Sequence, residues 1–404
     1  MKKFIAFLLC AALCCGITAT AEGAVTVSSE CDISDIDIPI ETAVTNAAIG
    51  QTLDIKAKSS VLMEPNTGTV LYEDNADEAL APASITKIMS LLLVMEAIDR
   101  GDFTTETVVS ASEHACSMGG SQIWLEPGES MTVDDLLKAS VIASANDAMV
   151  ALGETVAGSE EGFVAMMNAK AKELGMTGTN FVNATGLDAE GHVTTAHDVA
   201  VMSCELIKHD LIKKYSTVWM DTLRDGKSEL VNTNKLVRFY EGTTGLKTGT
   251  TSTAGYCLSA TAERNGMELV AVIMGGETSG DRFNGAKKLL DFGFANYTFT
   301  RVDAGIEEGT TAPVNNGTEK QVKIKAENTL NALLEKTASS DIARDTVINE
   351  NLTAPIKKGD TVGSVNVYIG DNQLGTIPLV ACEDVPKLTI KVTVKWILKG
   401  LFSL

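Results

Sequence analysis

Leu80-Ala81-Pro82-Ala83-Ser84-Ile85-Thr86-Lys87-Ile88-Met89 opens an apolar run that continues through Leu91, Leu92, Leu93, Val94, Met95 and Ile98. Pro82 sets a turn just ahead of it, and apolar residues on nearly every face predict a buried helix over 84–100. Ser84 and Lys87 stand three residues apart there, so their side chains share one helix face. Ser84 also sits near the positive end of the helix dipole, which favours developing negative charge. An isolated pair of this kind reads equally as an N-cap serine and a lysine whose stem lies along apolar surface. Two further strings change that balance: Ser144-Ala145-Asn146, 60 residues on, and Lys247-Thr248-Gly249, 103 residues beyond that. The intervals leave room for a helical block and a return to a sheet.

The pattern on either side supports that layout. Val61-Leu62-Met63 and Val70-Leu71-Tyr72 flank a Pro65-Asn66-Thr67-Gly68 turn and predict a hairpin. Helical periodicity covers 133–156, with Thr132 ahead of it and Asp134 and Asp135 in its first turn, and 161–174, closed by Gly175. After the third string, 256–261 and 267–274 read as adjacent strands joined at Arg264-Asn265-Gly266, and a helix over about 284–294 should cover them. Strands thus flank a helical block, which is an α/β sandwich whose first and last parts share one sheet. Beyond about Thr300, short alternating strands such as Val365-Asn366-Val367-Tyr368-Ile369 predict a small β-rich domain.

The ordered strings, with Trp124-Leu125-Glu126-Pro127-Gly128-Glu129, Asn183-Ala184-Thr185-Gly186-Leu187, Ala254-Gly255-Tyr256-Cys257 and Asp281-Arg282-Phe283-Asn284 between and behind them, resemble the penicillin-recognising serine enzymes. Within that group the chain resembles the low-molecular-weight penicillin-binding proteins, serine-type D-alanyl-D-alanine carboxypeptidases, from about Asp54 to about Leu379. The resemblance implies a β-lactamase/transpeptidase-like antiparallel sheet with helices and a helical subdomain, followed by a β-rich domain that holds it off the membrane. It implies action on peptidoglycan stem peptides ending in D-Ala-D-Ala, acylation by β-lactam antibiotics, and no cofactor.

The chemistry follows residue by residue. Ser84 is read as the nucleophile and Lys87 as its general base. A lysine takes a proton only when neutral, and from a reference pKa of about 10.4 it needs burial and a second cation, here Lys247, to become so. Ser144 is read as the proton relay to the leaving amine, and Asn146 as the group that orients Lys87 and the substrate amide. Lys247 and Thr248 supply a cation and a hydroxyl for a terminal carboxylate, and Gly249 allows close backbone approach. The backbone N–H groups of Ser84 and Thr250 are read as the oxyanion hole. By resemblance Arg282 helps read the same carboxylate. Some relatives carry histidine where this chain has Thr250; since the backbone acts there, that departure bears on rate or pH response.

Two other functions compete. A β-lactamase-like hydrolase would need a deacylating glutamate between the second and third strings, whereas Glu327-Asn328-Thr329-Leu330-Asn331 falls after Lys247 and reads as ordinary helix. A non-catalytic peptidoglycan-binding protein would keep the groove without the chemistry. Labelling with a fluorescent penicillin separates that reading from an enzyme.

The 404 residues carry a net charge of −20, which disfavours nucleic acid as a partner. Lys2, Lys3, the apolar run from Phe4 to Leu13 and Ala19-Thr20-Ala21 read as a signal peptide over 1–21, too short in its apolar part to span a bilayer. That reading implies export to the outer face of the cytoplasmic membrane, on the cell-wall side, and takes the mature charge to −22. Of eight cysteines, Cys10, Cys14 and Cys15 leave with it; Cys31, Cys116, Cys204, Cys257 and Cys382 are odd in number, scattered, and read mostly as buried apolar thiols. His114, His192, His197 and His209 show no metal-ligand spacing. The expected organisation is a flexible acidic leader over 22–53, a catalytic domain over 54–302, a β-rich domain over 303–386 and an amphipathic membrane-anchor segment over 387–404. In that last segment Lys387, Lys391, Lys395 and Lys399 recur every four residues, opposite apolar side chains and beside Trp396. Residues 387–395 also alternate as a strand would, so helix and strand both stand open.

Overall fold

The structure is a computed structural model that describes residues 53–337 and 342–394. The signal reading and all of the leader but Leu53 lie outside those residues, as do Cys31 and positions 395–404.

Five antiparallel strands form the main sheet: β1 (Ser59–Glu64), β2 (Thr69–Asp74), β3 (Thr243–Thr251), β4 (Gly255–Arg264) and β5 (Met267–Gly276), in the order β2-β1-β5-β4-β3. The chain's first hairpin and the three strands over 243–276 therefore share one sheet, with β3 at an edge. Alternation within β5 shows how both faces are used. Leu269, Ala271 and Ile273 pack with Leu289 and Leu290 of helix Ser279–Asn296, while Val270, Val272 and Met274 belong to the larger core on the other side. Because both faces are covered, β5 is apolar almost throughout.

The second core is helical. Helix α1 (Lys87–Asp99) follows a short 3₁₀ turn over Ala83–Thr86, and Ile88, Met89, Leu91, Leu92, Val94 and Met95 are all essentially inaccessible. Each such side chain contributes on the order of 1.5–3 kcal/mol by leaving water. That burial makes α1 the fixed post on which Ser84 and Lys87 stand.

The helix expected over 133–156 is two helices, α2 (Val133–Ile142) and α3 (Asn146–Ala157). The break is Ser144, whose φ is +63°, a left-handed conformation that ends a helix. Tertiary bonds hold it there: Asn146 N–H donates to Ser121 O at 2.7 Å, and the buried Asp147 carboxylate accepts from the N–H groups of Ile123, Leu125 and Ala148. Helical propensity over 133–156 is overridden by these partners, which lie some 20 residues upstream in sequence.

The last part of the described chain is a five-stranded antiparallel sheet in the order Thr311–Pro313, Gln321–Ala326, Asn372–Ala381, Thr361–Ile369, Ile342–Ile348, around a core that includes Val322, Ile324, Val365, Val367 and Ile377. Strand Leu330–Glu335 pairs separately with Tyr297–Val302. The stretch Glu327 to Asn331 is thus a turn entering a strand and not a helix, because Leu330 is needed in the core. Cys204 and Cys257 are buried, Cys116 and Cys382 half-buried, and all four are free. Lys387 bridges Gly317, and 390–394 are helical, with Thr393 N–H donating to Thr389 O at 2.9 Å.

Gly186 ties the layers together: at φ +87° it lies so close to the 3₁₀ turn ahead of α1 that an added Cβ would collide with the Ala83 carbonyl. Gly186→Ala is expected to cost more than about 2 kcal/mol, from the strained φ and the clash together. Thermal or urea unfolding should show this, with a parallel drop in penicillin labelling.

Candidate active site

Ser84 stands in the 3₁₀ turn directly after Ala83, whose φ is +49°. The turn is braced from behind. Thr86 Oγ1 donates to Ala83 O at 2.9 Å, and His192 Nε2 lies 2.8 Å from Thr86 Oγ1. Val182 N–H donates to His192 Nδ1 at 2.9 Å, so Nδ1 is unprotonated and Nε2 carries the hydrogen that Thr86 receives. Burial pushes the imidazole pKa down to about 4, which keeps this neutral tautomer.

Lys87 is fully buried at the centre of the site. Its Nζ lies 3.1 Å from Ser84 Oγ, 2.5 Å from Asn146 Oδ1 and 2.8 Å from Thr185 O. A neutral amine has two hydrogens and one lone pair. Two of the three neighbours are carbonyl oxygens, which only accept, so they take the hydrogens and leave the lone pair for the Ser84 hydroxyl. Burial first, then the charge of Lys247, hold the Lys87 pKa well below its usual value, with Asp147 opposing. Asn146 is itself fixed, since its Nδ2 donates to Gly119 O at 2.6 Å. Thr185 is fixed by Asn183, whose Oδ1 accepts from the N–H groups of Thr185 and Gly186 at 3.1 and 2.7 Å.

On the opposite wall, edge strand β3 carries Lys247, Thr248, Gly249 and Thr250. A Cβ on Gly249 would lie 2.9 Å from Pro82 O and 3.0 Å from Ile85 N, so only glycine lets the strand approach the Ser84 turn this closely. Lys247 is buried, and among the described residues its Nζ bonds Thr248 O alone, at 3.3 Å. Burial and then the Arg282 charge push its pKa down to about 7. Thr248 Oγ1 donates to Thr233 Oγ1 at 2.7 Å. Arg282 Nη1 donates to Gly249 O, Thr250 Oγ1 and Cys257 O at 3.0, 2.9 and 3.3 Å. Among the described residues no carboxylate pairs with Lys87, Lys247 or Arg282 within 4.0 Å. Ser144 Oγ is buried and has no hydrogen-bond partner among the described residues.

All nine residues singled out from the sequence thus converge from α1, the α2–α3 junction, β3 and the start of helix Ser279–Asn296. Four contributors had no assigned role there: the Thr185 carbonyl, Thr233, Asp147 and His192. A backbone acceptor has no signature in sequence, and the other three act by holding loops. Asn232-Thr233-Asn234 carried a faint signal, since both asparagines anchor backbone through their amides.

Residues 43–278 match the family described as D-alanyl-D-alanine carboxypeptidase, and residues 298–387 match the penicillin-binding protein 5 C-terminal domain. The chain belongs to the D-alanyl-D-alanine carboxypeptidase family. D-alanyl-D-alanine carboxypeptidase DacF of Bacillus subtilis is 44% identical over 336 residues, spanning 82% of this chain and 86% of that protein. DacC of Escherichia coli is 35% identical over 357 residues, spanning 85% and 88%. Penicillin-binding protein 5 from Haemophilus influenzae superposes with a TM-score of 0.70 at 31% identity, over 83% of this chain and 99% of that one. Penicillin-binding protein D2 from Listeria monocytogenes, solved in its ampicillin-bound form, gives 0.55 at 33% identity, over 60% and 100%. Membership in the carboxypeptidase family favours that reading over a β-lactamase-like hydrolase or a non-catalytic binding protein.

If Lys247 binds a terminal carboxylate, its charge state is expected to set a pH dependence. Its depressed pKa means that the free protein loses this cation as pH rises through about 7. KM for a peptide ending in a free carboxylate is therefore expected to climb between pH 7 and 9. In Lys247→Arg that climb should vanish, because guanidinium stays charged. Steady-state kinetics across pH 6–9 decide it; an identical climb in both proteins rejects the assignment.

Proposed function

We propose that the protein is an exported serine carboxypeptidase that removes the terminal D-alanine from peptidoglycan stem peptides through an acyl-enzyme on Ser84. The observation that carries this is the trio of neighbours around Lys87 Nζ, two pure acceptors and one hydroxyl, which suits a neutral amine acting on Ser84. The Ser84 proton moves to Lys87 Nζ while Oγ bonds the carbonyl carbon of the penultimate D-alanine. The oxyanion is received by the N–H groups of Ser84 and Thr250, a donor type worth roughly 10²–10³ in rate. As the peptide C–N bond breaks, the proton passes to the leaving amine by way of Ser144, whose free hydroxyl suits a relay. Water, deprotonated by Lys87, then hydrolyses the ester. Lys247 and Thr248 hold the terminal carboxylate, with Arg282 in the same electropositive wall. Asn146 orients Lys87 and the substrate amide. No step calls for a cofactor.

β-Lactams enter the same chemistry, since they too present an amide carbonyl near a carboxylate. No deacylating glutamate is expected beside the ester, so the penicilloyl adduct is expected to persist.

Export rests on the 1–21 signal pattern, with 22–53 as leader, 54–302 as the catalytic domain and 303–386 as a β-rich spacer. The work site is then the cell-wall side of the cytoplasmic membrane. Residues 387–404 would lie in the membrane surface, lysines at the headgroups. The helical turns over 390–394 support helix over strand for that segment.

Ser84→Ala should abolish both D-alanine release and penicillin labelling, while Lys87→Ala should remain folded with acylation slowed at least about 10²-fold. A covalent benzylpenicillin adduct on Ser84→Ala would reject the nucleophile. Amidating the substrate terminus should cost the wild type most of its activity and Lys247→Ala much less; equal penalties would remove Lys247 from carboxylate binding. Deleting 387–404 should release the protein from anionic vesicles with D-alanine release intact. Retention on the vesicles, or unfolding, would reject the surface helix.

A further inference from the structure

We propose that Arg282 is a positioning residue of the oxyanion hole: its guanidinium polarises the Gly249–Thr250 peptide so that the Thr250 N–H becomes a stronger donor. The inference deepens the acyl-transfer reading above and rests on it. Its first ground is connectivity. Arg282 Nη1 reaches Gly249 O at 3.0 Å and Thr250 Oγ1 at 2.9 Å, and Thr250 Oγ1 donates to the same Gly249 oxygen at 2.7 Å. Gly249 O and Thr250 N–H belong to one trans peptide, so they point to opposite sides of the strand. Charge drawn toward the oxygen leaves the N–H more positive, as in any chain of hydrogen bonds where each polarises the next.

The second ground is that no carboxylate neutralises the positive charge among the described residues. Arg282 is buried, and no carboxylate lies within 4.0 Å of it among the described residues. The acid beside it, Asp281, is turned away, because its carboxylate accepts from Thr278 N–H and Thr278 Oγ1 at 3.0 and 2.6 Å to cap the helix. Arg282 Nε is buried and meets no hydrogen-bond partner among the described residues, so the contacts that aim the guanidinium are those of Nη1. Tyr256 and Phe283 flank the guanidinium at 5.3 and 4.9 Å and restrict where it can swing. With the shorter Nη1 contacts going to Gly249 O and Thr250 Oγ1, and the longer one to Cys257 O at 3.3 Å, Nη1 acts on the peptide of β3 and not on the substrate carboxylate.

The two roles separate kinetically. An oxyanion donor matters in the transition states of acylation and deacylation alike, so its weakening lowers kcat whichever step limits, with KM little changed. A carboxylate reader instead raises KM and erases the preference for a free acid over an amide. The test takes the full-length wild type, Arg282→Gln and Arg282→Lys, with active sites counted by penicillin titration. D-Alanine release is measured from an acyl-Lys-D-Ala-D-Ala peptide, alaninamide release from its carboxamide, and affinity for a peptide boronic acid whose tetrahedral adduct places oxygen in the oxyanion hole. Arg282→Gln should lower kcat about tenfold on both substrates, keep KM within about twofold, and weaken the boronic acid by a similar factor. Arg282→Lys should recover part of each loss. Unchanged kcat, or loss confined to the acid-ended peptide with a raised KM, overturns the proposal. Should Arg282→Gln fail to fold, Arg282→Lys is judged by the same acid-to-amide ratio: lower kcat at constant ratio supports the proposal, and a shifted ratio overturns it. A wild type that releases no D-alanine would instead sink the carboxypeptidase reading itself.

Discussion

Everything at this site depends on keeping one amine dry. Lys87 Nζ sits beneath Ser84 with two carbonyl oxygens and one hydroxyl as neighbours. Burial there penalises the ammonium form, and the nearby Lys247 adds repulsion. The surrounding elements read as the means of sealing that position: α1 buried on all faces, the α2–α3 junction delivering Asn146, and the 183–186 loop delivering the Thr185 carbonyl. A fault in any of the three admits water or removes an acceptor, and either change returns Lys87 toward its ordinary, protonated state.

The same sealing explains an electrostatic contrast. A chain of net charge −20 holds three buried cations, Lys87, Lys247 and Arg282, without a carboxylate partner for any of them among the described residues. Buried cations are ordinarily paired, because leaving them unpaired is costly. Here burial holds the pKa of both Lys87 and Lys247 down, which makes their charge easier to lose, and the Arg282 charge is shared with backbone carbonyls. What stays positive faces the place where an anionic substrate and its oxyanion would sit. Stability is thus given up locally for a field that is oriented before substrate arrives.

The nearby acids are kept occupied elsewhere. Asp147 accepts backbone N–H groups that shape the 123–125 loop, Asp281 caps its helix, and Asp188 accepts from the hydroxyls of Thr251 and Thr253. Each therefore acts on structure near the site while leaving the cations unneutralised.

Much of this was legible in the amino-acid order. The buried character of α1, the pairing of Ser84 with Lys87 and the alternating strands of the last domain are short-range patterns set by periodicity and spacing, and the sheet shared by the two ends of the catalytic region followed from strands flanking a helical block. The broken helix at Ser144 was not legible, because Ser144-Ala145-Asn146 suits a helix interior and only the Ser121 carbonyl and the Asp147-anchored loop hold it open. The Thr185 carbonyl and the turn of Arg282 toward Gly249 were hidden for a related reason: every residue has a carbonyl, and which one meets a buried cation depends on how distant segments pack. The amino-acid order by itself named the candidate groups, since only certain side chains can be nucleophile, base or cation. The tertiary structure alone decided their protonation and aim, because pKa and direction are set by burial and by partners far away in the chain.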